Sequence, residues 1–196
     1  MSTSHRHDVP ADALSCRDSF EGMPDRKQLV IGTSTDVPLP FGALLDMLAY
    51  AREQTLKAVE GLSVEQLAHR YDEKSNSIGA LLWHIAAVET WYQVNSFDER
   101  EWSAEDAQQW DAALDMGDAA IAHGGYSLHD YVEMLAQIRA RTERELRTRD
   151  SDWLLRVAPL GSVDANNYWK WFHVCEDEIN HRGQIRWLRK RLPGAI

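Results

Sequence analysis

From Phe41 onward, apolar residues recur at steps of three and four through Leu44, Leu45, Leu48, Leu56 and Val59, and the run ends at Gly61. That period is one buried face of a helix. Ser63 followed by Gln66 is a capping-box pattern, because the hydroxyl can accept from the third amide while the glutamine reaches back to the cap. A short helix is expected from Val64 to His69. The stretch "SNSIGALLWHIAAVETWYQ" offers Ser75 or Ser77 as a cap, then an almost wholly apolar helix from Ile78 to Val88. A helix that is apolar on all sides belongs in the middle of a bundle. Ser103 with Asp106 opens a polar, Ala-rich helix to about Ala122, which reads as the outer piece of a long crossover. Ser127 with Asp130 opens a long amphipathic helix with the stripe Leu128, Tyr131, Leu135, Ile138, Thr142 and Leu146, and with Arg141, Glu143, Arg144 and Arg147 on a solvated face.

Residues 150–164, with Pro159 and Gly161, read as a loop; Asn166 or Asn167 then caps a last helix from Tyr168 to about Arg191. No strand pattern or internal repeat is evident. The expected class is all-α: a four-helix bundle of long antiparallel helices, with a long crossover carrying an accessory helix. Residues 1–39 contain Pro10, Pro24 and Pro38 and no sustained period, so they read as an N-terminal extension, mobile or draped over a bundle domain at 40–196. His5 and His7 fall in that polar terminus and receive no role.

Composition narrows the function. A length of 196 residues suits one domain, and a hydrophobic fraction of 44% is ample for a core. The net charge of −10 argues against binding nucleic acid or an anionic membrane surface. No stretch approaches the roughly 18 consecutive apolar residues of a membrane span. Cys16 and Cys175 lie far apart and do not form a disulfide framework, which points to the cytoplasm. Eight tryptophans and a largely apolar second helix exceed what one small bundle needs, so a homodimer is expected.

The chemistry concentrates in "FHVCEDEINHRGQIRW". At about 100° per residue, His173, Asp177 and His181 share one stripe, which continues through Gln184 and Ile185 to Leu188 and Leu192. These polar groups should therefore face the core, where they need pairing or a metal. His84, the one ionisable residue between Ile78 and Val88, should face it from the second helix. Each has an ordinary reading, His84 as a hydrogen-bonded core histidine and Asp177 with His181 as a helical ion pair, and the spacing leaves both readings open. His173 is read as a hydrogen-bonding support for Asp177, or as a ligand in its place. Glu176 and Glu178 are expected to face solvent. Cys175, about 160° from Asp177, is expected to pack.

"SNSIGALLWHIAAVE" followed by "HVCEDEINHRGQIRWLRKRLPG" resembles the DinB-like superfamily of metal-binding four-helix bundles, over about residues 40–193. That superfamily includes bacillithiol transferases and mycothiol-dependent maleylpyruvate isomerases. The resemblance implies one divalent transition metal, with zinc, nickel and iron undivided, on His84, Asp177 and His181. Asp stands at 177 where many relatives carry His or Glu. Three protein ligands would leave open positions. The resemblance also implies a low-molecular-weight thiol cosubstrate and S-transfer or isomerisation on a small electrophile, in detoxification or small-molecule metabolism. The rival readings are a non-catalytic metal-binding stress-response bundle and a metal-dependent hydrolase using bound water.

Overall fold

A computed structural model describes residues 30–32, 36–122 and 125–193. The expectations for residues 1–29, including His5, His7 and Cys16, lie outside the described residues. In chain order the elements are α1 (Leu39–Val59), α2 (Val64–Ala68), α3 (Ile78–Gln93), α4 (Ala104–Asp115), α5 (Gly117–Ala122), α6 (Leu128–Thr148), α7 (Ser151–Leu155), the strands β1 (Val157–Leu160) and β2 (Val163–Asn166), and α8 (Asn167–Arg189).

The caps explain where these helices begin. Ser77 rather than Ser75 starts α3: its Oγ accepts from Ala80 N at 3.1 Å, whereas Ser75 donates its hydroxyl to Asp72. Asn166 starts α8 by accepting from Trp169 N at 2.8 Å, while Asn167 donates to the Trp153 carbonyl. The capping boxes at Ser63, Ser103 and Ser127 are all formed.

The long helices α1, α3, α6 and α8 form the bundle, and their directions differ from a simple antiparallel arrangement. Gly79 meets Tyr131 at one end of the α3/α6 contact and Gln93 meets Thr142 at the other, so α3 and α6 run parallel. Arg52 meets Glu178 and the Ala58 carbonyl meets Arg189, so α1 and α8 also run parallel. Parallel α3 and α6 need a connection that returns the length of the bundle, and α4 and α5 supply it. The helix expected to run unbroken to Ala122 is interrupted at Met116 and Gly117, both with left-handed φ, at 58° and 72°.

The expected loop at 150–164 instead holds α7, capped by Asp150, and an antiparallel hairpin pairing Val157 with Asn166 and Leu160 with Val163. Gly161, at φ 61°, makes the tight two-residue turn. Pro159 masks the pattern in sequence, and Val157 and Val163 are exposed, so no apolar alternation marks these strands.

Two apolar clusters fill the bundle. One holds Val59, Leu81, Leu135 and Ile185; the other holds Phe41, Leu48, Leu146 and Trp171. Between them each long helix contributes one buried charged residue: Arg52 from α1, Glu89 from α3, Arg139 from α6 and Glu178 from α8. Arg52 Nε donates to Glu178 Oε1 at 2.9 Å and its Nη2 to Glu89 Oε2 at 3.0 Å. Arg139 Nε donates to Glu89 Oε1 at 2.8 Å and its Nη2 to Glu178 Oε2 at 3.1 Å. Each arginine also donates to a carbonyl of the opposite helix, Arg52 to Leu135 and Arg139 to Leu48. Two cations and two anions balance, which makes the layer tolerable in a low-dielectric interior.

Glu178 therefore corrects the expectation of a solvent-facing charge: it is 1% exposed. Burial alone would raise the pKa of Glu89, but the charges of Arg139 and Arg52, with hydrogen bonds from Arg139 and Thr142, bring it down to about 2. A carboxyl depressed in the fold stabilises it above its ordinary value of 4.5, and that contribution is lost as pH falls toward about 2. Urea midpoints should thus fall steeply below about pH 4.5, with Glu89 accounting for about 3 kcal/mol at most. A midpoint that stays flat down to about pH 3 would contradict this.

Candidate metal centre

Asp177 and His181, one turn apart on α8, meet His84 from α3 across the seam between the two helices. His181 Nε2 lies 3.3 Å from Asp177 Oδ1, and His84 Nε2 lies 3.7 Å from the same oxygen. One donor atom from each residue falls within 4.8 Å of the others, so the group could hold a metal ion. Both imidazoles are 7% exposed, and their rings pack edge to face at 4.6 Å.

The orientation of His84 is fixed by α4. Its Nδ1 lies 2.8 Å from the Ala113 carbonyl, and a carbonyl only accepts, so Nδ1 carries the proton. Nε2 is thereby turned toward Asp177, the arrangement that a backbone acceptor imposes on a ligating histidine. The accessory helix, expected only on the outside, is thus part of the site. His181 Nδ1 is buried without a hydrogen-bond partner among the described residues.

The spacings fit a cation better than a hydrogen-bonded triad. Charge-assisted hydrogen bonds run at about 2.7–2.9 Å, shorter than either contact here. Donors about 2.0–2.2 Å from a shared tetrahedral cation stand roughly 3.3–3.6 Å apart, close to both observed separations. Burial opposes ionisation of Asp177, yet hydrogen bonding to His181 and His84 and their charges override it and hold the carboxyl well below the usual range. Burial pulls the pKa of His84 down, but Asp177 together with the Ala113 and Leu114 carbonyls more than reverses that and leaves it raised.

His173 lies one turn before Asp177. Its hydrogen-bond partner among the described residues is Tyr92 Oη, 3.3 Å from Nδ1, and it stacks on Trp169 with ring centroids 5.1 Å apart. Burial and the charge of Asp177 push the Tyr92 hydroxyl up to about 12, so it keeps its proton at neutral pH. Tyr92 lies just over two turns beyond His84 on α3 and about 80° round the helix from it, so the helical period does not mark it as part of the site. Gln184, expected to turn inward, is exposed. With Asn180 and Gly183 it lines a cleft of about 470 Å³ that also includes Lys74, Ser75 and Asn76. Glu176 faces solvent, and Cys175 is buried, with its thiol pushed up by burial and by Glu178, so it packs rather than reacts.

An all-α four-helix bundle with two imidazoles and a carboxylate converging across one helix seam defines the class: a DinB-like bundle. Residues 43–194 match the mycothiol-S-transferase family, and the chain belongs to it. A crystal structure of a conserved protein from Enterococcus faecalis shares the fold with a TM-score of 0.60, at 18% identity over 76% of this chain and 94% of that one. Among curated proteins no sequence matches the chain. Among the described residues no helix is long and apolar enough to cross a membrane.

Proposed function

We propose that His84, Asp177 and His181 hold one divalent transition metal and that the protein is a metal-dependent thiol transferase acting on a small electrophile. The observation that carries this reading is the convergence of two imidazole Nε2 atoms on Asp177 Oδ1, with His84 locked by Ala113. A divalent cation there supplies Lewis acidity, which lowers a thiol's pKa so that it ionises at neutral pH. Family membership makes mycothiol the first thiol to test.

The chain's own groups divide the remaining work. His84, Asp177 and His181 supply the donor set and, being three, leave room for a substrate atom. The polar cleft along Asn180, Gln184 and Asn76 is where we place the hydrophilic part of the thiol. Tyr92 Oη keeps a proton that it can offer in a hydrogen bond to the electrophile. Pairing of two chains and residence in the cytoplasm belong to the same proposal, with exposed Trp169 and Phe172 as surface for a second copy.

The test is metal analysis of the purified protein, followed by turnover of a generic electrophile with mycothiol, bacillithiol, glutathione or cysteine. Turnover that needs both metal and thiol is the expected result. Turnover with water alone would replace the transferase by a hydrolase, and metal binding without turnover would favour a non-catalytic role.

A further inference from the structure

Lys170 lies on α8 seven residues before Asp177, two turns or about 10 Å along the same face. It is 3% exposed, and among the described residues its ammonium makes no hydrogen bond or ion pair. The stem of Lys170 is buried while the residue lines a cleft, so its ammonium is available to a ligand there and is not held by a partner among the described residues. The nearest acidic candidate, Glu99, is already engaged by Arg156. Lys170 lines a cleft of about 370 Å³, large enough for a small metabolite, together with Asn95, Asn167, Arg100, Arg156 and Glu99.

Asn95, which lines the same cleft, carries a second unpaired atom. Asn95 Oδ1 is buried and has no donor among the described residues. A donor and an acceptor thus line one cleft without satisfying each other. The backbone there is also irregular: α3 ends in a wide π-helical turn at Val94–Asp98, closed by Glu99 in the left-handed conformation at φ 51°. Such turns and strained residues gather at functional sites. The first turn of α8, 23 residues long, adds the positive end of its dipole. Arg100 is engaged by Asp106 and Arg156 by Glu99, which leaves Lys170 as the cation of this cleft without a carboxylate partner among the described residues.

We infer that this cleft binds a small hydroxylated organic anion, a carboxylate or a phosphate monoester, with Lys170 donating to the anionic group and Asn95 Oδ1 accepting from a neighbouring hydroxyl. Burial, then the charge of Arg156, lowers the pKa of Lys170, and Glu99 partly opposes this. An arriving anion would offset the charge of Arg156 and favour the protonated ammonium. The inference stands apart from the metal reading, since none of these residues belongs to the His84, Asp177, His181 group.

The test uses the full chain, titrated by calorimetry and followed by thermal unfolding with malate, glycerol 3-phosphate and inorganic phosphate. Saturable binding of malate or glycerol 3-phosphate, with a rise in Tm, is expected, and whichever binds identifies the anionic group. Lys170→Met should weaken that binding about tenfold or more, the range for a hydrogen bond to a charged group. Without anion the same variant should be at least as stable as the parent, because it removes an unpaired charge. Lys170→Arg should retain part of the binding, Arg156→Gln should weaken it, and His181→Ala should leave it intact. Failure of all three anions to bind, binding of inorganic phosphate alone, or binding unchanged in both Lys170→Met and Arg156→Gln would overturn the inference.

Discussion

Glu178→Ala should lower the free energy of unfolding by about 3–5 kcal/mol, the range seen when one partner of a buried ion pair is removed. A typical domain has only about 5–15 kcal/mol in total, so this variant should sit near the edge of folding. Glu178 accepts from both Arg52 and Arg139, and its loss leaves two buried guanidinium groups sharing Glu89. A like-charge pair in a low-dielectric layer is the worst arrangement of these groups. Glu178→Gln keeps the shape and removes the charge, so it should be almost as damaging. Urea titration at neutral pH reads the loss directly. Less than about 1 kcal/mol for both variants would mean that the layer is hydrated and carries little of the stability. Replacing Glu89, Glu178, Arg52 and Arg139 together by apolar residues of similar volume should restore much of the stability, because no unpaired charge then remains.

This layer shows where the sequence stops being legible. Helix faces were readable because apolar residues repeat at the helical period, and caps were readable because Ser63, Ser103 and Ser127 each stand three residues before a side chain that can reach back. The metal-site candidates were readable for a related reason: His84 is an anomaly in an apolar helix, and Asp177 with His181 is a one-turn repeat. Arg52, Arg139 and Glu178 are different, because each looks like an ordinary surface charge on an amphipathic helix. Only the meeting of four helices shows that they satisfy one another. The hairpin at 157–166 was hidden for a local reason: its strands are four residues long, one contains proline, and their apolar side chains are exposed. The contact between Ala113 and His84 joins residues 29 apart through a backbone carbonyl, which carries no side-chain signature.

His181→Ala should abolish tight metal binding and lower thiol-dependent turnover by about 100-fold or more, while leaving the helices formed. The folding half follows from the local structure. His181 Nδ1 has no hydrogen-bond partner among the described residues, so truncation orphans no other buried group apart from the Asp177 side that faces Nε2. Asp177 is itself partly exposed and can turn to water. The binding half follows from the donor count, since two donors leave a cation too many positions to fill from solvent. Asp177→Ala should also lose metal, and excess metal should restore part of its activity, because both imidazoles remain. Asp177→Glu should be milder: it keeps the charge and adds one methylene of reach. Metal content after dialysis, circular dichroism and turnover with mycothiol, measured on the same preparations, separate the three effects. If His181→Ala retained the parent's metal content at parental affinity, the ligand assignment would be wrong. If it lost the metal but kept full thiol-dependent turnover, the site would hold metal without serving the reaction.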